Sequence, residues 1–292
     1  MLTQVFYEID NFCKSQEKKS KLLTVTDAQL GRPKTMTASE VLTIIIYFHH
    51  SGYRNFKIYY QLLIQATLRP AFIKIVSYNR FIELMREYAW LLALFAISNQ
   101  GKVTGISFID STPIAVCKNP RISSHKVLKG YAGRGKTSTG WFYGFKLHLV
   151  INHLGEIIAF VVTPGNVADS DEKTVKKLTK KLFGKLFGDR GYLSQKLFKD
   201  LWDRGIQLFT KIRKNMKNKL IDLYDKLMLR KRGIIESVNN ILKSCLLLEH
   251  SRHRSITGFF VNIFSTIAAY SFRKKPSLAT PEDIEVAQLI GC

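Results

Sequence analysis

The chain has 292 residues, 46% hydrophobic and 23% charged, the balance of a soluble globular protein with material for one large domain or two modest ones. Its 45 Lys and Arg against 22 Asp and Glu give a net charge of +23, which points to a polyanionic partner, nucleic acid ahead of an anionic membrane. No run reaches the roughly 18–20 uncharged apolar residues of a membrane span. The N-terminus MLTQVFYEID lacks a secretory pattern, and Cys13, Cys117, Cys245 and Cys292 form no CxxC pair, so a structural zinc site and a disulfide framework are disfavoured and a reducing cytoplasm is expected.

Residues 1–100 read as an all-helical domain. TASE at 37–40 has the spacing of a capping box ahead of the apolar run VLTIIIYF. Further helical stretches are predicted over 56–66 and 78–97, punctuated by Gly52, Pro70 and Ser77. Such a domain either packs as a plain bundle or binds DNA; Arg32, Lys34, Arg54, Lys57, Arg69 and Arg80 favour the second reading without marking a recognition helix.

After Gln100 the period changes. Residues 105–113 (GISFIDSTP) predict a short apolar strand ending at an acid, and 118–139, rich in Lys, Arg, Gly and Ser, a mobile basic loop. Residues 141–152 and 157–163 alternate as paired strands about a turn at 153–156. The loop PGNVADSDE leads into a helix over 174–182. Residues 185–189 form another strand with a terminal acid, followed by a helix near 194–203, a strand over 206–212 and a mostly helical stretch to Phe272. The pattern is α/β: one mixed sheet flanked by helices over 101–275, with 276–292 as a loosely held tail.

Asp110, in FIDSTPI, and Asp189, in LFGDRGY, each follow an apolar run. Either alone reads as a turn or helix cap. If their strands are neighbours and parallel, both side chains project at one sheet edge, where α/β sheets place their sites. In LRKRGIIESVNNILK, Arg232, Glu236, Asn239, Asn240 and Lys243 recur every three or four residues on one helical face, with Ile234, Ile235, Val238, Ile241 and Leu242 on the other. A solvated salt-bridged stripe has this pattern too, but one acid among bases is what a metal ligand facing phosphates requires. Three carboxylates on separate elements suit two Mg²⁺ ions roughly 3.5–4 Å apart in phosphoryl transfer.

Taken in order, FIDSTPI, GFKLHLVIN, TPGNVADS, FGDRGY and Arg-x3-Glu-x6-Lys resemble the DDE transposases of bacterial insertion sequences over about residues 100–270, and the leading helical region is similar to that family's N-terminal part. The resemblance implies an RNase H-like catalytic domain with Asp110, Asp189 and Glu236 as catalytic, metal-binding triad. It implies two Mg²⁺ ions, with Mn²⁺ able to substitute, cleavage at insertion-sequence ends and strand transfer into target DNA. Partners would be the terminal inverted repeats and target DNA, with a homodimer assembled on DNA in the bacterial nucleoid and no membrane. Related groups carry Tyr-x2-Arg-x3-Glu-x6-Lys around the last acid; here Leu229 stands at the tyrosine position. Lys146, His148, Arg190, Lys211, Arg213, Lys214, Arg232, Asn240 and Lys243 are the expected phosphate contacts. Trp141 is read as a packed core residue in preference to a base-stacking one. His148 either lines the site or is satisfied in the sheet. Asp169, Asp171 and Glu249 are reserve acids. Two other functions fit the residues: an RNase H-like nuclease without strand transfer, and a non-catalytic nucleic-acid-binding protein.

Overall fold

The computed structural model describes residues 1–23, 35–138, 140–211, 222–249 and 253–278. They fall into two units: a helical one of Met1–Asn99, Ser244–Leu248 and His253–Arg273, and a sheet-based one of Gln100–Lys243, Glu249–Arg252 and Lys274–Cys292.

The helical unit begins with α1 (Leu2–Leu23) and α2 (Ala38–Phe48). The predicted capping box is present: Thr37 Oγ1 accepts from the Glu40 amide at 3.2 Å and Glu40 Oε2 accepts from the Thr37 amide at 2.8 Å. With Val41, Leu42, Ile44, Ile45, Ile46 and Phe48 all buried, α2 is covered on most sides, by α1, by α4 (Tyr78–Glu87) and by the helix Ile256–Ser271. Between α2 and α4, α3 (Phe56–Ile58) passes directly into a π-helical stretch, Tyr59–Thr67. The stretch predicted over 78–97 is two helices, because Tyr88 leaves helical geometry (ψ 10°) while its N–H closes α4 on Leu84; α5 (Ala89–Ser98) follows.

The helix Ile256–Ser271, capped by Ser255 on the Gly258 amide, packs on α2, α4 and α5, although sequence pattern grouped it with residues 101–275. Polar contacts hold this late return. His49, the C-cap of α2, uses one ring nitrogen toward the Leu246 carbonyl (2.6 Å) and the other toward Ser265 Oγ (2.7 Å), satisfying a buried imidazole.

In the second unit, β1 (Ile106–Cys117), β2 (Gly133–Thr137), β3 (Gly140–Asn152), β4 (Ile157–Pro164), β5 (Gly184–Gly188) and β6 (Ile206–Thr210) form one mixed sheet. β3 is its antiparallel spine, paired with β1 on one edge; on the other, β2 lies opposite Gly140–Gly144 and β4 opposite Phe145–Ile151. β1, β5 and β6 run parallel. Phe108, Phe187 and Phe209 stack across these three strands with ring centroids 5.5 and 5.2 Å apart, a ladder that fixes their register. Slipping it by one residue would turn every side chain to the other face. On the opposite face Ile109, Val150, Leu186 and Leu208 pack under α6 (Glu172–Leu178) and α7 (Gln195–Asp203). α8 (Leu223–Arg230) contacts β5 and β6, and α9 (Gly233–Asn240) contacts β1, before the chain continues as a π-helical stretch, Ile241–Cys245. This is the expected mixed sheet flanked by helices.

Three sequence expectations need correction. The basic segment 118–139 holds a 3-10 turn, Asn119–Arg121, and the strand β2. Asp110 is mid-strand: from Ile109 onward β1 has a neighbour on one side only, and such an open edge tolerates Pro113. The start of the tail is anchored, the Leu278 amide donating to the His153 carbonyl at 2.8 Å. Arg32, Lys34, Arg213, Lys214 and residues 279–292 lie outside the described residues. Among the described residues, no helix is long and apolar enough to cross a membrane.

Candidate active site

β1 and β5 are parallel neighbours, and Phe108 aligns with Phe187. Asp110 and Asp189 each lie two residues beyond this pair, Asp189 just past the C-terminal end of β5. Asp189 has left the strand and caps a 3-10 turn, Arg190–Tyr192, by accepting from the Gly191 amide at 2.8 Å.

α9 closes over this face. Asn239, buried, donates its amide to Asp110 Oδ2 at 3.1 Å. Arg232, one turn before Glu236, reaches both acids: Nη1 stands 3.6 Å from Asp110 Oδ1 and Nη2 donates to Glu236 Oε1 at 2.8 Å. The Glu236 side chain is 61% exposed, that of Asp110 20%. Burial pushes the Asp110 carboxyl up to about 6; Arg232 pulls it down, and Asp189 and Glu236 push it further up. The three acids of the sequence reading thus share one electrostatic environment.

Three buried polar atoms here have no hydrogen-bond partner: Arg232 Nη1, Asn239 Oδ1 and the Tyr192 hydroxyl. Burial holds the Tyr192 phenol well above its usual range, and Asp110, Asp169 and Asp189 add to the shift. Nothing in the pattern of LFGDRGY marked Tyr192, and Asn239 was legible only as a member of the α9 face.

Behind the sheet edge, Asp169 Oδ1 accepts from Ser111 Oγ (2.7 Å) and Lys146 Nζ (2.9 Å). A Cβ placed on Gly191 would lie 2.9 Å from Asp189 Oδ1 and 3.5 Å from Asp169 Oδ2, so the two acids flank that glycine. Of the other reserve acids, Asp171 caps α6 through Thr174, and Glu249 accepts from the Ala115 amide and pairs with Lys243 at 3.5 Å.

The expected phosphate contacts divide. Lys146 is buried between Asp169 and the Val167 carbonyl, and His148 is buried with Nε2 on Thr163 Oγ1, its imidazole pushed down to about 4 by burial; as placed, neither offers a charge to a phosphate. Arg190, Lys211 and Asn240 are exposed, and Lys243 is partly so. Arg213 is outside the described residues. Leu229 is buried and contributes packing, and Trp141, read from sequence as core, is 51% exposed.

Residues 100–256, more than half of the chain, match the family model described as "Transposase DDE domain". No curated protein matches. Among solved structures the chain is similar to that titled "Cryo-EM structure of piggyBac transposase synaptic complex with hairpin DNA", at 12% identity and a TM-score of 0.49, covering 98% of this chain and 76% of that one. It is also similar to the "Crystal structure of the Mos1 Strand Transfer Complex", at 14% identity and a TM-score of 0.23, covering 88% and 82%. With the matched segment running from ahead of Asp110 to beyond Glu236, the chain belongs to the DDE transposase family.

Proposed function

We propose that the chain cuts DNA at the ends of an insertion sequence and joins the freed 3′ ends to target DNA, with Asp110, Asp189 and Glu236 as the carboxylates of that reaction. The observation that carries the reading is that the first two acids follow aligned residues of adjacent parallel strands, and that the helix segment bearing the third hydrogen-bonds and ion-pairs with the first.

The donor set suits a hard divalent cation: three carboxylates and the unpartnered amide oxygen of Asn239 are all oxygen ligands. Among the described residues no three His, Cys, Asp or Glu side chains stand at ligand spacing, and Arg232 pairs with both Asp110 and Glu236. Asp110, Asp189 and Glu236 would hold Mg²⁺ or Mn²⁺ once that guanidinium turns away. The bound ions would activate the attacking oxygen and stabilise the leaving one. Arg232, released from Asp110, then has a bidentate donor for a phosphate, and Arg190, Lys211 and Lys243 supply point charges along the backbone. Two ends must be processed, so the working form is a homodimer on DNA, in the bacterial nucleoid.

The test is metal-dependent nicking of DNA carrying the element's ends by D110N, D189N and E236Q. Each should lose about 10²–10³-fold or more in rate, since several kcal/mol of charge stabilisation go with the ions, while duplex affinity is kept. A variant that nicks at the parent rate removes its residue from the triad. Joining of pre-cut ends separates transposition from hydrolysis alone.

A further inference from the structure

From Ser111 to Gly155 the chain has no Asp or Glu, and seven bases: Lys118, Arg121, Lys126, Lys129, Arg134, Lys136 and Lys146. Lys146 is buried against Asp169. The other six are exposed, and among the described residues none forms an ion pair. Within this segment, on the β2–β3 hairpin, stands Trp141, 51% exposed.

The hairpin has two unlike faces. Phe142 turns inward over Gly135 and Gly165, where an added Cβ would come within 2.6 and 2.9 Å of its ring. That packing pins the hairpin to the sheet. The other face carries Arg134, Lys136 and Trp141. Lys136 is the cross-strand partner of Trp141, with its ammonium 5.6 Å from the indole centroid; the Arg134 guanidinium is 5.0 Å away. Asn119 fixes the Trp141 backbone by donating to its carbonyl at 2.8 Å. A large, half-exposed aromatic ring flanked by two cations, on a segment with four further exposed bases, matches a ligand with flat π faces and phosphates.

We propose that this hairpin face is a binding platform for unpaired nucleotides, a base stacking on the Trp141 indole while Arg134 and Lys136 move from the ring to the adjoining phosphates. Stacking requires a base that has left its duplex, so single-stranded DNA is the ligand. Trp141 lies eight residues along β3 from Leu149, the partner of Asp110, or about 26 Å at ~3.3 Å per residue. The platform therefore holds DNA away from the reacting phosphodiester, and it stands independently of the roles given to the three acids.

The experiment uses the full chain with Trp90 and Trp202 replaced by Phe, so that Trp141 alone reports. Oligo(dT) of about 12 nucleotides, and the same strand paired with oligo(dA), are titrated by fluorescence quenching and by anisotropy of a labelled strand. The single strand should quench Trp141 strongly. W141L, which keeps apolar bulk without a flat ring, should weaken single-strand binding about 5- to 100-fold while W141F recovers most of it, and duplex affinity should change less than about twofold. R134Q/K136Q should lower the slope of log K against log salt for the single strand by about 1.4. W141L binding the single strand as the parent does, or losing duplex affinity equally, overturns the proposal. So does a DNA-free change of oligomeric state in W141L, which would make the ring a contact between copies.

Discussion

Arg232 Nη1 stands 3.6 Å from Asp110 Oδ1 inside a largely buried site. The guanidinium thus occupies the side of the carboxylate that a divalent cation needs, and it is the cation that Asp110 has in the structure described.

The first expectation follows from that competition. R232Q should bind Mn²⁺ or Tb³⁺ about three- to tenfold more tightly than the parent in the absence of DNA, because no ion pair has to be broken. It should nonetheless cut DNA more slowly, having lost a phosphate donor. R232K should fall between, its charge kept and its planar fork lost. Lanthanide luminescence and single-turnover cleavage with saturating DNA read the two effects; ion affinity unchanged in R232Q would show that the pair does not guard the site.

Two buried groups give opposite dependences of stability on pH. Asp110 titrates near 6 in the folded protein against an ordinary 3.8, so the unfolded chain releases its proton first; stability is full below about 4 and falls as pH rises to about 6. The loss is at most about 3 kcal/mol. His148, at about 4 against 6.5, does the reverse: its contribution is present above about 6.5 and is lost as pH falls toward 4. In the parent these slopes nearly cancel between pH 4 and 6. D110N should expose the histidine alone, with melting temperature rising across that window and exceeding the parent's above pH 6. Thermal melts from pH 4 to 7 in chelator decide it; superimposable profiles would remove Asp110 as a titrating group.

Asn239 gives a graded test of the same carboxylate. N239A withdraws a donor from a buried acid and should cost about 1–2 kcal/mol at neutral pH. N239D sets a second acid beside the first and should cost more. Below pH 4, with Asp110 protonated, the gap between the two variants should close. Denaturant unfolding at pH 4 and 7.5 measures it, and a gap that persists at low pH would assign the loss to packing.

In the helical unit, T37A removes the Thr37 half of a capping box on the buried helix α2. The expected loss is about 1 kcal/mol, and T37S should restore most of it. Chemical denaturation followed by circular dichroism tests this, and T37A unfolding with the parent would leave the box without weight in stability.

The capping box was legible because its hydrogen bonds span three residues. The strands β3 and β4 were legible for a related reason, their alternation about a tight turn. Asp110 and Asp189 could be singled out locally, but that they follow neighbouring strands depends on the Phe108–Phe187 pairing, between residues 79 positions apart. The hydrogen bond from Asn239 to Asp110 joins residues 129 apart and leaves no local trace. Lys146 and His148 misled because alternation predicts which side of a strand a residue takes, and not whether a partner such as Asp169 or Thr163 waits there. Trp141 erred the other way, because an aromatic residue opening a strand carries no sign that its flank will stay in water.

The return of Ile256–Ser271 to the helical unit sets an order of events during synthesis. Chain elongation at ~5–20 residues per second puts roughly 10–35 s between the emergence of Asn99 and that of Ser271. Throughout that interval α2, α4 and α5 lack the helix that packs on them, and before Ile256 emerges every described strand of the sheet has been made. The N-terminal unit is thus begun first and completed only after the described strands of the sheet. A nascent chain stalled before Ile256 carries a complete sheet and an open apolar helical surface, the kind of surface that chaperones hold and proteases find.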